Sequence, residues 1–292
     1  MNRLNSKSFL GKWIYLTPAI FLMLMFYIWP LILTVYYSFT NLALTGSAAA
    51  NMKFIWLDNF KNMFADRNFT VAVTNTLVFL LGSIVGQTIL GFMIAYFMRD
   101  STIGVRRITG IIILAAWIMP ELVASLCTYN LFTVGGTFNK ILGFFGLEPI
   151  AWLFEHPMTS IIISNIWRGT AFSMMVYQSA LDSISRDVEE SAMLDGVNKF
   201  QNIIHIIIPQ IKQTVWTNTL MITLKTLGCF SMIYAMTGGG PGNKTQTLAI
   251  FTYLRAFKNN KLGYACACSL ILMLLGGLIS ILYIRSTRKD EN

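Results

Sequence analysis

The sequence predicts an all-α integral membrane protein of six transmembrane helices, on three observations. Hydrophobic residues fill 55% of the 292 positions and charged residues only 12%, against roughly 25% charged in an ordinary soluble domain. Apolar stretches of the about 18 to 20 residues that cross a bilayer core as a helix recur along the whole length. Between them no segment is left that could form a separate soluble domain.

The predicted spans are 13–40, 70–98, 108–132, 158–181, 215–237 and 262–285. The first is too long for the short apolar core of a cleavable signal peptide and is read as an uncleaved anchor, although the small residues Ser47–Ala50 could imitate a cleavage site. Pro18, Pro30 and Pro120 fall inside spans, where a missing N–H and a clash with the preceding turn should kink the helix. Gly82 and Gly86 form a Gly-x-x-x-Gly in the second span. Such a bare backbone stripe lets another helix approach closely, within the chain or across a subunit interface. The resulting organisation is an N-terminal part, 1–69, a five-helix core, 70–285, containing a loop at 182–209, and a tail, 286–292.

The net charge of +9 could suggest nucleic acid, but the basic residues are dispersed among short loops and form no stripe. They report orientation instead. With the N-terminus inside, twelve Lys and Arg, beginning with Arg3, Lys7 and Lys12, fall on cytoplasmic segments and eight on longer outer loops. That bias places both termini in the cytoplasm. Cys127, Cys229, Cys266 and Cys268 lie in or near spans without a C-x-x-C pair. They read as packing residues, with no metal site.

The predicted outer loop 41–69 carries Phe54, Trp56, Leu57, Phe60, Met63 and Phe64 at a partly helical period, so it should lie amphipathically on the outer surface. Residues 133–157 combine a Gly-Gly turn, an apolar run and Trp152, which suits a packed outer cap better than a substrate contact.

The most informative stretch is the charged segment 181–209 between two apolar runs. It reads as two short helices around Gly196. Ser185 can cap the first, with Asp187, Glu189 and Glu190 in its first turn, where the helix dipole favours negative charge. Ile184, Val188 and Ala192 recur every four residues on one face. Ser191 and Ala192 keep the surface thin beside the Glu190 carboxylate, a shape suited to a partner's groove. Gly196 permits the sharp turn, Asn198 can cap the second helix, and Pro209 marks the bend into the fifth span. The bland alternative is an amphipathic loop helix lying on headgroups.

The pattern Glu190-Ser191-Ala192, Gly196, Ile206, Ile208 and Pro209 resembles the signature loop of the membrane subunits of bacterial ABC importers, with Ser191 where Ala is usual. The element 236–248, MTGGGPGNKTQTL, with its Gly238, Gly239, Gly240 and Pro241, resembles the carbohydrate-type permeases. So do the run from Leu262 and the segments 54–69 and 142–153. The resemblance covers nearly the whole chain. It implies the type I ABC importer permease fold. It also implies a coupling role for Glu190, Ser191, Ala192, Asp195, Gly196 and Pro209, with Glu190 pairing to a cation on the ATPase. The implied partners are a second permease, two ATPase subunits, an extracellular solute-binding protein and membrane lipid, in the bacterial cytoplasmic membrane. The substrate would be a sugar or oligosaccharide, or another solute such as a polyol or glycerol phosphate derivative.

Residues 238–245, GGGPGNKT, imitate a phosphate loop, but Asn243 stands where the glycine before Lys244 must be. Nucleotide binding is therefore not expected here. The resemblance implies that this chain holds no cofactor of its own and that ATP and magnesium are bound by the ATPase.

Glu121, Arg168 and Lys225 fall inside the third, fourth and fifth spans. An ionisable group there costs several kcal/mol unless paired or hydrated. Either they line the translocation path or they pair internally. Asn165, Trp167, Tyr177, Gln178 and Tyr234 are further candidates for contacts to sugar hydroxyls and rings. An ion-driven carrier with Glu121 as proton site should show an inverted repeat, which is absent from the sequence. A membrane enzyme should show a cluster of catalytic groups, whereas His156 and His205 are isolated.

Overall fold

The computed structural model describes residues 15–289. The first two residues of the predicted first span, the tail with Arg3, Lys7 and Lys12, and residues 290–292 lie outside the described residues. Among the described residues all regular structure is helical, apart from one isolated antiparallel bridge between Thr40 and Phe54. The chain forms two compact units, 15–66 with 252–271 and 67–251 with 272–289.

In the first unit, α1 (Tyr15–Ser38) is exposed along its apolar length. It contains a π turn at Leu24–Ile28, two residues ahead of Pro30. The wider turn accommodates a ring that has no N–H to offer. Helix α2 (Asp58–Ala65) follows, with Met63 and Asn59 buried and Phe64 outward. The Asn59 amide donates 2.8 Å hydrogen bonds to the carbonyls of both Ser38 and Thr40, fixing the end of α1. Asp66 pairs with Arg255 at 2.5 Å and accepts from the Tyr264 hydroxyl at 3.3 Å.

The second unit begins with α3 (Arg67–Arg99), 33 residues long. Its buried stripe, Ala72, Thr76, Leu80, Ser83, Gln87, Gly91, Ala95 and Met98, is mostly small or polar, whereas Leu77, Leu81, Val85, Ile89 and Phe97 face outward. This inverts the pattern of a water-soluble helix and matches one surrounded by lipid, where close packing replaces hydrophobic burial. Next come α4 (Ile103–Ile118), α5 (Glu121–Phe132), α6 (Thr137–Phe144) and α7 (Pro157–Asp182). Helices α3 and α7 make the most extensive packing in the molecule. Glycines set their approach. A Cβ on Gly82 would meet Ile162, one on Gly86 would meet Ile166, and one on Gly91 would come within 2.5 Å of Ser173 Cβ and 3.0 Å of the Met174 nitrogen. The Gly-x-x-x-Gly stripe thus serves packing within the chain, not a subunit interface.

Beyond α7 come α8 (Arg186–Leu194) and α9, which spans 199–210 and contains a π turn at Ile203–Ile207, again two residues ahead of a proline, Pro209. Then follow α10 (Lys212–Leu227), α11 (Ser231–Thr237), α12 (Leu248–Tyr253) and α13 (Leu262–Lys289).

Among the described residues three helices are long and apolar enough to cross a membrane, Tyr15–Ser38, Arg67–Arg99 and Leu262–Arg285. Two bent pairs meet the same test jointly, α4 with the stretch from Glu121 to Phe144, at 103°, and α10 with α11, at 49°. The sequence reading of 108–132 and 215–237 as continuous spans is therefore corrected. Pro120 removes a donor and drives Met119 into extended backbone with ψ near 130°, and α10 stops at Gly228. Among the described residues, length and composition identify three to five spans, so the predicted count of six is not reached on these grounds. Helix α7 has 26 residues but falls short on apolarity, because its Ser160, Ser164, Asn165, Thr170 and Ser173 are turned inward and buried.

The 133–157 region packs as a cap around buried Asn139. Its amide donates to the Val134 and Ile150 carbonyls at 3.0 and 2.8 Å, and its oxygen accepts from Ile150 N–H and the Trp152 indole, each at 3.1 Å. Residues 238–245 form a loop tied to α3 through Asn75, which donates to the Asn243 carbonyl at 2.8 Å. The Thr245 hydroxyl donates to the Gly240 carbonyl at 2.7 Å. Gly238, Gly239, Gly242 and Asn243 all have positive φ.

Candidate functional site

Two features stand out in the second unit. One is a cavity of about 350 Å³ lined by Gln87, Trp117, Glu121, Asn165, Arg168, Gly169, Phe172, Ile222, Lys225, Thr226, Gly228 and Cys229. It lies where both broken helices are interrupted, since Glu121 is the first residue of α5 and Gly228 follows the last residue of α10. Helix breaks at membrane depth are tolerated where they line a protein cavity. Glu121 sits in the positive first turn of its helix and Lys225 in the negative last turn of its own, each where the dipole favours its charge.

Glu121 and Arg168 form an ion pair at 4.0 Å, both side chains about one-third exposed. The Lys225 ammonium lies 3.8 Å from the centre of the Phe172 ring and 5.9 Å from that of Trp117, and those two rings are stacked. Asn165 ties three helices together, donating to Ser83 on α3 at 2.8 Å and to Thr226 on α10 at 3.4 Å. Gln87 donates to the Asn165 carbonyl at 3.2 Å and packs against Gly169, where any side chain would displace it.

Of the pathway candidates read from the sequence, Glu121, Asn165, Arg168 and Lys225 share this cavity. Tyr177 is fully buried in another cluster, against Phe92. Gln178 faces Arg106, whose guanidinium it accepts from at 2.6 and 2.9 Å in the amide orientation that satisfies both groups. Tyr234 stacks on Phe230 at 5.2 Å, and Trp167 is 44% exposed outside the cavity lining. Gln87, Trp117, Phe172, Thr226 and Cys229 were not anticipated. Only Gln87, a polar residue in an apolar run, carried a local signal. Gly240 and Pro241 line a separate cavity of about 480 Å³ with Tyr129, Phe132 and Phe154.

The second feature is the 184–211 segment. Ser185 Oγ accepts from the Asp187 N–H at 3.3 Å, so the predicted cap is present. Helix α8 ends in a Schellman turn, with Val197 N–H donating to the Ala192 carbonyl at 3.1 Å and Gly196 at φ +83°. Asn198 and Gln201 then form a reciprocal capping box at the start of α9. The Ser191 hydroxyl donates back to the Asp187 carbonyl at 2.7 Å, leaving the surface thin despite the extra oxygen. Glu190, Ser191, Asp195 and Gly196 are exposed; on the predicted three-residue face, Ile184 and Ala192 are buried and Val188 is exposed.

Both ends of this segment are rooted. Ile184, Ile207 and Ile211 share one hydrophobic cluster with Ala95 and Met98 of α3 and Met174, Tyr177 and Leu181 of α7. Arg99 donates to the Ile184 carbonyl at 3.0 Å, and Arg106 pairs with Asp182 at the end of α7. The exposed acidic turn is thus built on a packed base.

A helical membrane bundle with broken helices around a polar cavity is the architecture of a transport protein. A family model described as "Binding-protein-dependent transport system inner membrane component" matches residues 43–289, and the chain belongs to this family of transport permeases. It is 31% identical over 286 residues to the multiple sugar-binding transport system permease protein MsmF of Streptococcus mutans, covering 96% of each chain. It is 28% identical to the sulfoquinovosyl glycerol transport system permease protein SmoG of Agrobacterium fabrum, covering 94% of this chain and 90% of that one. A chain of a bacterial alginate ABC transporter, solved with an alginate pentasaccharide-bound periplasmic protein, shares the fold with a TM-score of 0.83 at 20% identity, covering 97% of this chain and 96% of its own.

Proposed function

We propose that this chain is a transmembrane subunit of a bacterial ABC importer that moves a sugar or oligosaccharide by alternating access. The sugar class is supported by the name of MsmF, a multiple sugar-binding transport system permease, which the chain matches over nearly its full length. In this reading the bent pairs α4–α5 and α10–α11 each count as one span and α7 as another, giving six. Both termini face the cytoplasm. A second permease completes the pathway, two ATPase subunits bind and hydrolyse ATP with magnesium, and an extracellular binding protein delivers the solute. The chain itself makes and breaks no covalent bond. A polyol or glycerol phosphate derivative is the alternative cargo.

The observation that carries the coupling mechanism is the shared cluster beneath residues 184–211. Glu190, Ser191, Ala192, Asp195 and Gly196 present a thin acidic surface to an ATPase groove. Ile184, Ile207 and Ile211 pass its displacement to α3 and α7, the helices that bear Gln87, Asn165 and Arg168. Closure of the ATPases would thereby re-aim the cavity. Pro209 and the π turn ahead of it set the angle at which the segment rejoins the bundle. The test is co-purification of the complex in detergent, wild type against Glu190→Ala. Loss of bound ATPase, or of ATP hydrolysis stimulated by the binding protein, is expected in the variant. A wild-type chain that transports solute with no ATPase attached would overturn the proposal.

A further inference from the structure

The hydrogen-bonding capacity of the cavity at the helix breaks is unevenly committed. Its amide donors serve one another and the helices, Gln87 donating to the Asn165 carbonyl and Asn165 to Ser83 and Thr226. The carboxylate of Glu121 faces Arg168. What is left over is cationic. Among the described residues Lys225 has no carboxylate within ion-pair distance and is held only against the Phe172 and Trp117 rings. Arg168 Nε is buried without an acceptor. With two cations and one anion around about 350 Å³, the cavity carries a net positive charge where an unpaired ion is costly. Low-dielectric walls concentrate that field on whatever enters.

We infer that the solute carried through this cavity is a polyhydroxylated anion, a sugar or sugar-like alcohol bearing a carboxylate, sulfonate or phosphate, and that Lys225 is the group that selects for the charge. This rests on the cavity lying in the translocation path. The ring pair keeps the ammonium desolvated on one side and open to the cavity on the other. An anion there takes up donors that a neutral hydroxyl would leave undercompensated.

The experiment uses the complete transporter, permease pair with ATPases, in nanodiscs of phosphatidylcholine alone, so that no anionic lipid supplies the charge. Thermal melting is followed while glucuronate, glucose 6-phosphate, a sulfonated hexose or glucose is titrated at constant ionic strength. The expected result is stabilisation by at least one of the three anions with a half-saturating concentration at least about tenfold below that of glucose. Lys225→Arg should keep that preference and Lys225→Met should abolish it. Should Lys225→Met melt lower before any ligand is added, Lys225→Gln replaces it. No difference between the anions and glucose, or a preference that survives loss of Lys225, overturns the inference. ATP hydrolysis is measured on the same sample. An active ATPase complex without anion preference defeats only the charge assignment, whereas absence of ATPase from the wild-type complex defeats the importer reading.

Discussion

Glu121 and Cys229 face each other across two helix breaks, with the Cys229 thiol 3.8 Å from Glu121 Oε1. One residue opens α5 and the other lies two residues beyond the end of α10. Two interruptions that could have lain anywhere along their spans therefore converge on one polar cavity. Each break frees backbone groups from intrahelical bonding, and the cavity is where such groups can be accommodated.

The ion pair beside that contact should be worth little by itself. Glu121 and Arg168 are 4.0 Å apart and partly exposed, so a double-mutant cycle of Glu121→Gln and Arg168→Gln should give a coupling energy of about 1 kcal/mol or less in the melting of the purified complex. A coupling of several kcal/mol would mean that the pair is an internal clamp instead of a cavity lining.

The α3–α7 contact predicts a contrast between two glycines. In Gly91→Ala the new methyl meets Ser173 Cβ and Met174 backbone, whereas nothing lies within 4 Å of a Cβ on Gly110. Gly91→Ala should lower stability by about 1–3 kcal/mol, since overpacking outweighs the helix-propensity gain. Gly110→Ala should not lower it. Melting curves in detergent compare them directly, and equal melting temperatures would count against the packing described.

Gly196 offers a different test, because no neighbouring atom crowds it and only its φ of +83° resists a side chain. Gly196→Ala should cost the turn about 1–2 kcal/mol and reduce ATP hydrolysis stimulated by the binding protein several-fold. Gly196→Asn, which tolerates the left-handed region better, should retain more of it.

Asn139 holds the cap at 133–157 through four backbone and indole contacts. Replacing it by Leu leaves buried donors and acceptors without partners, at about 1–3 kcal/mol for each group so orphaned. Protease sensitivity confined to 133–157, with the remaining helices resistant, is the expected outcome; unchanged resistance would show the cap to be held by other means.

Much of this was legible in the sequence, and the exceptions have physical causes. Composition and span length reveal a membrane bundle, and the caps at Ser185 and Asn198 and the turn at Gly196 depend on local chemistry that a single segment displays. The break at Pro120 was underestimated as a kink, because how far a proline bends a helix depends on whether neighbours can satisfy the freed groups. Trp117 and Phe172 went unrecognised because only tertiary packing brings them to Lys225. Periodicity puts Ile184, Val188 and Ala192 on one face but does not say how far a short helix stands away from its support, and Val188 is exposed. Helix α7, predicted as the fourth span, fails a hydropathy test for the reason that makes it central: its polar side faces other helices.

The two feet of residues 184–211 stand in one cluster, Ile184 on one side and Ile207 on the other. A strap fixed at a single end would stretch or swing when pulled, dissipating the movement in its own backbone. A staple with both legs in the same block cannot, so a push on its crown becomes a tilt of the block itself. In the proposed coupling, the direction of the stroke would be set by where the legs enter, between α3 and α7, more than by the chemistry of the crown.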